Sequence, residues 1–273
     1  MLQDDTLYFQ GQAVHFCTAY PTQQQRGCVL LLCGPGETAL NWRHIVPEIL
    51  DAGLFCAISE LPGLFGRGRE NRNENRAGIL WGVLDELDRR AGRVRAWHIV
   101  AHGSGCAAAL MMALNQPDSV ASLVLICPVL TPPLGWLARR LMANGRWGRP
   151  LGESWYRRNI GDARNFARLA ERAYGMRPAP PLLHALRKPL LRRGAANCPL
   201  RLVRDGYALP REAYAPQCPA MVLHGGRDPY ARYAGPEIAG AEPHTLRAAA
   251  HCPAETDASA VCDFLRGWYK MFF

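Results

Sequence analysis

The fold of this chain is decided by a nine-residue stretch, which reads Trp97-His98-Ile99-Val100-Ala101-His102-Gly103-Ser104-Gly105. Its first half is a short apolar run typical of a buried strand. The run breaks at a glycine-rich turn, and residues 106–114 then continue as an alanine-rich segment with the composition of a helix. A strand, a sharp turn and a helix in immediate succession predict an elbow that displays a reactive group at its tip.

The remaining strands follow from continuous apolar runs at residues 28–33, 54–61, 120–128 and 219–224. Such runs are typical of parallel strands that are covered on both faces. Residues 7–16 instead alternate between apolar and polar, which predicts an antiparallel hairpin joined at Gly11. With helical segments between the strands, the pattern predicts an α/β fold with a mostly parallel twisted sheet.

Length and composition limit the classes of protein to which this chain can belong. The chain has 273 residues, enough for one large domain or for a core with an inserted subdomain. Its ten cysteines form no C-x-x-C pair, which predicts free thiols in a reducing compartment. Neither a secretory signal nor an apolar run of membrane-spanning length is visible. These features predict a soluble cytoplasmic protein.

The sheet pattern stops at residue 132, and short amphipathic helices are expected at 136–142, 155–160, 162–174 and 181–191. Residues 132–215 contain 17 lysines and arginines against five acidic residues, a net charge of +12 in a chain whose total is +9. We therefore expect three parts: a first core segment at 1–131, an arginine-rich helical insert at 132–215, and a second core segment at 216–273.

The order of these elements, the elbow one third of the way along, and the run Gln116-Pro117-Asp118-Ser119-Val120-Ala121-Ser122-Leu123-Val124-Leu125-Ile126 resemble the α/β-hydrolase superfamily. The most similar branch is that of the esterases and C–C hydrolases with a helical cap. The resemblance covers residues 7–131 and 216–273. It implies the α/β-hydrolase fold, a cap formed by residues 132–215, and neither a cofactor nor a metal ion.

In this family the nucleophile stands in the middle of a G-x-S-x-G elbow. Counted from the strand, Ala101 takes the first small position and Gly105 the last, so Gly103 stands where the serine belongs. Glycine adopts the strained backbone of that turn without cost. A register one residue later would make Ser104 the nucleophile, but it would place His102 where a small side chain is needed. The first register is favoured and the second stays open.

The resemblance also implies the partners of the nucleophile. Asp228, in the turn at 225–229, matches the acid of the catalytic triad, and His251 matches its base. The N–H groups of Ser104 and Gly34 are the expected oxyanion donors, because Pro35 has no N–H. Two thiols are alternative nucleophiles: Cys106 near a helix N-terminus, and Cys252 beside the histidine.

Three functions are compatible with this set. The favoured one is an enzyme in which a His251–Asp228 dyad and an oxyanion hole act on an activated carbonyl or (thio)ester without an acyl-enzyme, by cyclisation, elimination, C–C cleavage or water-mediated hydrolysis. The second is a non-catalytic protein that binds a small molecule or acyl chain in the same pocket. The third is an ordinary serine esterase or thioesterase that uses Ser104.

The arginines of the insert predict the charge of the partner. They are expected to attract an anionic substrate, or an acyl group carried by acyl carrier protein or coenzyme A, unless they form a solvated surface. Nucleic acid is not expected, because the sequence shows no binding module for it and the basic residues are not interleaved with aromatic ones. A membrane is not expected, because no apolar run is long enough to span one. The arginines concerned are Arg139, Arg140, Arg157, Arg158, Arg192 and Arg193.

Overall fold

A computed structural model describes residues 2–9, 12–62, 72–91, 96–143, 147–192 and 194–273. In these residues, eight strands form one sheet in the order β1-β2-β4-β3-β5-β6-β7-β8. The strands are β1 Gln3–Phe9, β2 Gln12–Ala19, β3 Gly27–Leu32, β4 Leu54–Ser59, β5 Trp97–His102, β6 Val120–Ile126, β7 Ala220–Gly225 and β8 Ala241–Leu246.

Six of these strands run parallel, and five of them, all except β8, coincide with the continuous apolar runs of the sequence. Strand β2 pairs antiparallel with both β1 and β4, whereas every pairing from β4 to β8 is parallel. The predicted α/β architecture and the opening hairpin are therefore confirmed. The predicted hairpin turn at Gly11 lies outside the described residues.

Helices cover both faces of the sheet. In chain order they are α1 Val46–Asp51, α2 Asn73–Ala91, α3 Gly105–Asn115, α4 Trp136–Ala143, α5 Gly148–Tyr156, α6 Ala163–Tyr174, α7 Pro180–Leu190, α8 Cys198–Asp205, α9 Pro253–Thr256 and α10 Ala258–Tyr269. One core cluster packs α2 and α3 against the sheet through buried residues such as Leu84 and Leu110. A second packs α1 and α10 against the other face through Ile49 and Leu265.

The polar run at residues 69–76 predicts a solvated loop, but helix α2 already begins within it. The helix begins at Asn73 because two polar side chains find buried partners. Asn73 Nδ2 donates to the carbonyl oxygens of Gly206 and Ala208, and Arg76 Nε donates to that of Pro62. Buried polar groups are stable when they are hydrogen-bonded in this way.

Helices α4 to α8 occupy the chain between β6 and β7, where the sequence predicts an insert. The helix expected at 155–160 is instead the end of α5 followed by a π-helical turn, Arg157–Gly161. Helix α6 begins after Asp162, whose side chain accepts a hydrogen bond from the Asn165 N–H. Helix α8 was not expected. The division of the chain at residues 131 and 215 stays a prediction.

Across the described ranges, no helix has both the length and the apolar character that a bilayer crossing requires. All ten cysteines carry free thiols.

The close approach of α3 to β3 gives a testable expectation for stability. A Cβ atom added at Gly105 would lie 2.7 Å from the backbone oxygen of Cys33, whereas one added at Gly78, within α2, would meet nothing within 4 Å. We expect Gly105→Ala to lower the free energy of unfolding by about 1–3 kcal/mol, because the helix has to move away from the strand.

The matched control, Gly78→Ala, should raise the free energy of unfolding by about 0.4–1 kcal/mol, since alanine restricts the unfolded chain. Urea unfolding of both variants measures the two changes. Equal effects would contradict the close approach of α3.

Candidate active site

The elbow between β5 and α3 is held by backbone hydrogen bonds. Gly103 has a φ of +57°, in the left-handed region that glycine adopts most readily. Its N–H donates to the carbonyl of Ile126 and its carbonyl accepts from the N–H of Val129, both at 3.0 Å. A Cβ atom added at Gly103 would lie 3.5 Å from Nε2 of His251. The tip of the elbow therefore faces that imidazole.

The structure brings the predicted acid and base together. Asp228 follows β7 and His251 follows β8, and Asp228 Oδ2 lies 3.0 Å from His251 Nδ1. The other carboxylate oxygen of Asp228 accepts a hydrogen bond of 2.7 Å from the Tyr230 N–H. A carboxylate only accepts hydrogen bonds, so Nδ1 carries the proton. The lone pair of Nε2 is then directed toward Gly103.

Burial sets the protonation state of this pair. Burial lowers the pKa of His251, and the charge of His102 lowers it further, against the raising effect of the hydrogen bond to Asp228. Burial tends to raise the pKa of Asp228, but the hydrogen bond and charge of His251 outweigh it and the net shift is downward. His251 is therefore neutral at neutral pH, which is the form that accepts a proton.

A second histidine lies beneath the elbow, in a network that sequence reasoning did not anticipate. His102 Nδ1 lies 2.7 Å from Glu37 Oε1, and His102 Nε2 lies 2.7 Å from the carbonyl oxygen of His251. Both partners are acceptors, so both ring nitrogens of His102 donate. His102 is therefore an imidazolium that connects the turn after β3 with the loop of His251.

The pKa values of this pair agree with an ion pair. Burial alone lowers the pKa of His102, but the charge and hydrogen bond of Glu37 outweigh it and raise the pKa. Burial likewise tends to raise the pKa of Glu37, and the charge and hydrogen bond of His102 reverse the shift. The sequence indicates this ion pair only weakly, through an acidic residue and a histidine in the two turns beside the candidate nucleophile.

The structure corrects the expected role of Gly34. Its N–H donates to Glu37 Oε2 at 2.6 Å, so an internal carboxylate takes the place that a substrate oxyanion was expected to occupy. The neighbouring Pro35 has no N–H to replace it. Ser104 differs, because no acceptor for its N–H lies in the described part of the chain. Of the two expected donors, the N–H of Ser104 is the one left for a ligand.

The side chain of Ser104 lies near Tyr207, a residue that the sequence did not indicate. Burial raises the pKa of Tyr207 to about 12 and outweighs the Ser104 hydroxyl, which acts to lower the pKa of this phenol. The hydrogen bonds of Asn73 to Gly206 and Ala208 hold both neighbours of Tyr207 in the chain. No described contact joins the Ser104 hydroxyl to His251.

The two thiols proposed as alternative nucleophiles are both buried. Cys106 Sγ points to the carbonyl of Ala101 at 3.3 Å, and burial holds the pKa of this thiol well above its ordinary value. Burial also holds the pKa of Cys252 well above its ordinary value. The expectation that the helix N-terminus would favour a thiolate at Cys106 is wrong, because the loss of water outweighs it. Both thiols pack the core.

Within the described residues, two clusters combine the residue types that hold metal ions. They are Glu37 with His102 and Cys252, and Cys127 with Asp228 and His251; within each the ligand atoms lie within 4.8 Å of one another. In both clusters the carboxylate already pairs with an imidazole nitrogen. Burial also raises the pKa of each thiol, which disfavours the thiolate that a metal needs. The present arrangement is a hydrogen-bond network.

Comparison with known proteins gives a family and a fold. A sequence profile described as the Alpha/beta hydrolase family matches residues 29–264. No curated protein sequence matches the chain. Solved structures of hydrolases match it over nearly their whole length at low identity, so their likeness concerns the fold.

Three of these structures illustrate the range of enzymes that share this fold. The Cif epoxide hydrolase from Acinetobacter nosocomialis is 18% identical, with a TM-score of 0.77, over 97% of this chain and 88% of its own. Epoxide hydrolase A from Mycobacterium thermoresistibile is 20% identical, with a TM-score of 0.72, over 98% and 99%. A loop variant of haloalkane dehalogenase from Bradyrhizobium elkanii is 16% identical, with a TM-score of 0.70, over 98% and 96%.

The Glu37–His102 pair predicts a pH window of extra stability. Glu37 contributes above its unfolded pKa of about 4.5, and this is lost as the pH falls through its lowered folded value. His102 contributes below its unfolded pKa of about 6.5, and this is lost as the pH rises through its raised folded value. We expect Glu37→Gln to destabilise the protein most between about pH 4.5 and 6.5.

Urea unfolding across pH measures this difference, and the NMR titration of the His102 ring should show a lower pKa in Glu37→Gln than in the wild type. The control is Glu48→Gln, which removes an exposed ion pair with Arg266 and should change stability little. A His102 pKa that is the same in both proteins would refute the ion pair.

Proposed function

We propose that this chain, which belongs to the Alpha/beta hydrolase family, is an enzyme whose general base is His251, oriented by Asp228. Gly103 takes the position of the nucleophile in this proposal, so that no covalent enzyme intermediate forms. The reacting partner of the base is a water molecule or a group of the substrate itself.

The observation that carries the proposal is the direction of His251 Nε2. A Cβ atom at Gly103 would lie 3.5 Å from this nitrogen, which is where a nucleophilic side chain would have to begin. The unprotonated nitrogen therefore faces a position that has no side chain. A base kept neutral by burial and oriented by a carboxylate has the two properties that general-base catalysis requires.

Gly105 supports this assignment of the elbow. Its close approach to Cys33 leaves no room for a Cβ atom, as expected for the last small position of the motif. The register that makes Ser104 the nucleophile would place Cys106 there instead. Among the described residues, the side chain of His251 is hydrogen-bonded to Asp228 and not to the Ser104 hydroxyl, which also disfavours that alternative.

Water-mediated hydrolysis is the reaction class we favour among cyclisation, elimination, C–C cleavage and hydrolysis. The solved structures of similar fold include epoxide hydrolases and a dehalogenase, which favours a small electrophile as substrate. With an activated ester, the water oxygen bonds to the carbonyl carbon while His251 takes its proton. The N–H of Ser104 stabilises the oxyanion, which collapses as His251 returns the proton to the leaving oxygen.

One observation favours a second candidate, a binding protein that keeps the pocket without turnover. Glu37 already occupies the N–H of Gly34, so the site has lost one of the two oxyanion donors expected of a hydrolase. Removal of one such donor costs about 10²–10³ in kcat in a serine hydrolase. The retained and oriented His251 still favours the enzyme.

The first test removes the base. His251→Ala should lower kcat/KM by about 10²–10⁴, the usual contribution of a positioned general base. The assay uses p-nitrophenyl esters, acyl thioesters and small epoxides. In the wild type, activity should fall as the pH drops through an apparent pKa below 6.5, because protonated His251 cannot accept the proton.

His244→Ala is the matched control, because His244 lies on β8 at the surface and should leave turnover unchanged. Turnover that survives intact in His251→Ala would remove the base from the mechanism. Substrate binding without turnover in the wild type would favour the binding protein.

The second test restores a nucleophile. Gly103→Ser should become reactive toward fluorophosphonates, because the new hydroxyl would lie beside His251 Nε2. The wild type should stay unlabelled. Intact-mass measurement detects the adduct, and the labelling should be lost in the double variant that also carries His251→Ala.

Gly103→Ala is the control for backbone strain, since its Cβ meets the same positive φ without offering a hydroxyl. A folded Gly103→Ser protein that resists labelling would contradict the assignment of the elbow. A stable adduct on Ser104 of the wild type would restore the conventional hydrolase.

A further inference from the structure

A groove on the outside of the helical segment collects positive charge. It lies between the π-helical turn and α6, has a volume of about 620 Å³, and is lined by Trp155, Arg158, Asn165, Arg168 and Arg172 among others. We call it the arginine groove. Its volume falls within the range of small-molecule sites.

The three guanidinium groups of the groove are uncompensated. No carboxylate in the described ranges forms an ion pair with Arg158, Arg168 or Arg172. Other arginines of the same segment do have acidic partners, Arg149 with Glu153 and Arg192 with Glu60. Arg192 is thereby removed from the predicted anion-binding set, and Arg193 lies outside the described residues.

This arrangement costs stability unless a ligand balances it. Arg168 and Arg172 are four residues apart on α6, where like charges repel. Two acidic residues belong to this helix or its start, but Asp162 accepts the backbone N–H of Asn165, and Glu171 forms no ion pair within the described residues. An anion that binds between the arginines would relieve the repulsion.

The floor of the groove is held in place by side-chain hydrogen bonds. Asn165 Nδ2 donates to the carbonyl of Arg158 at 2.8 Å, and Asn159 Nδ2 donates to that of Trp155 at 2.8 Å. Arg187 Nε donates to the carbonyl of Ile160 and closes the π-helical turn. Such turns interrupt helices frequently at functional sites. The backbone that carries Arg158 is therefore fixed before any ligand arrives.

Two kinds of ligand chemistry match the groove. Guanidinium groups bind phosphate through two parallel hydrogen bonds and keep their charge at every physiological pH. The indole of Trp155, 47% exposed at the rim, offers a flat face on which an aromatic base can stack. Phosphate groups joined to an aromatic base describe a nucleotide.

The position of the groove relates it to the candidate active site. The guanidinium carbon of Arg172 lies 6.0 Å from the centre of the Tyr230 ring, and that ring lies 4.8 Å from the ring of His251. A ligand that reaches from the groove past Arg172 therefore approaches the elements that hold the base.

We propose that the arginine groove binds the phosphate groups and the base of a nucleotide, and coenzyme A is the probe that we choose for it. A concave site with a stacking face favours this ligand over an acidic protein such as acyl carrier protein. The proposal concerns binding and does not require that His251 be catalytic.

The test is a titration of the full-length protein with coenzyme A, in which calorimetry and tryptophan fluorescence measure binding. The part of the fluorescence change that is lost in Trp155→Leu is the signal of Trp155. The double variant Arg168→Gln with Arg172→Gln should weaken binding at least tenfold, because each charge-assisted contact is lost. High salt should weaken binding to the wild type. Trp155→Leu should also weaken it.

The matched control is the double variant Arg139→Gln with Arg164→Gln, which removes the same charge from the same segment outside the groove. It should bind as the wild type does, and so should His251→Ala. Absence of binding at low salt, equal weakening in the control, or binding of acyl carrier protein without coenzyme A would each overturn the proposal.

Discussion

One buried imidazole holds the candidate site together. His102 donates from both ring nitrogens, to Glu37 in the turn after β3 and to the backbone of His251 after β8. Removing either acceptor would leave a buried N–H of His102 without a partner. Removing Glu37 would also leave the positive charge of His102 unpaired. Since Glu37 in turn accepts from Gly34, three loops at the same edge of the sheet are fixed relative to one another.

The backbone at the same edge places its own requirements on the residues of the elbow. The backbone of the elbow requires a positive φ at Gly103 and a close approach at Gly105, and glycine meets both requirements without any hydroxyl. Neither requirement depends on chemistry at the tip. The fold and the orientation of His251 therefore place few constraints on what, if anything, reacts there, which is why function has to be argued from the site and not from the fold.

Sequence reasoning succeeded where order along the chain determines position in space. Parallel strands end at one edge of a sheet, so Asp228 and His251, each just after a strand, were bound to lie near the elbow. It failed for contacts that depend on side-chain direction. Glu37 and Gly34 are three residues apart, yet only the conformation of their turn directs the carboxylate to that N–H. Tyr207 depends on Asn73, 134 residues earlier, whose hydrogen bonds position the chain around it.

The N–H of His251 donates to the carbonyl of Ala173, in the last turn of α6. The loop that carries the imidazole is thus anchored on one side by the sheet and on the other by the helical segment between β6 and β7. In a chimera that takes this helical segment from another protein, the N–H of His251 would lose its acceptor unless the new helix placed a carbonyl at the same point. Modular exchange of this region is therefore limited by one backbone acceptor, whatever the sequence of the transplanted helices.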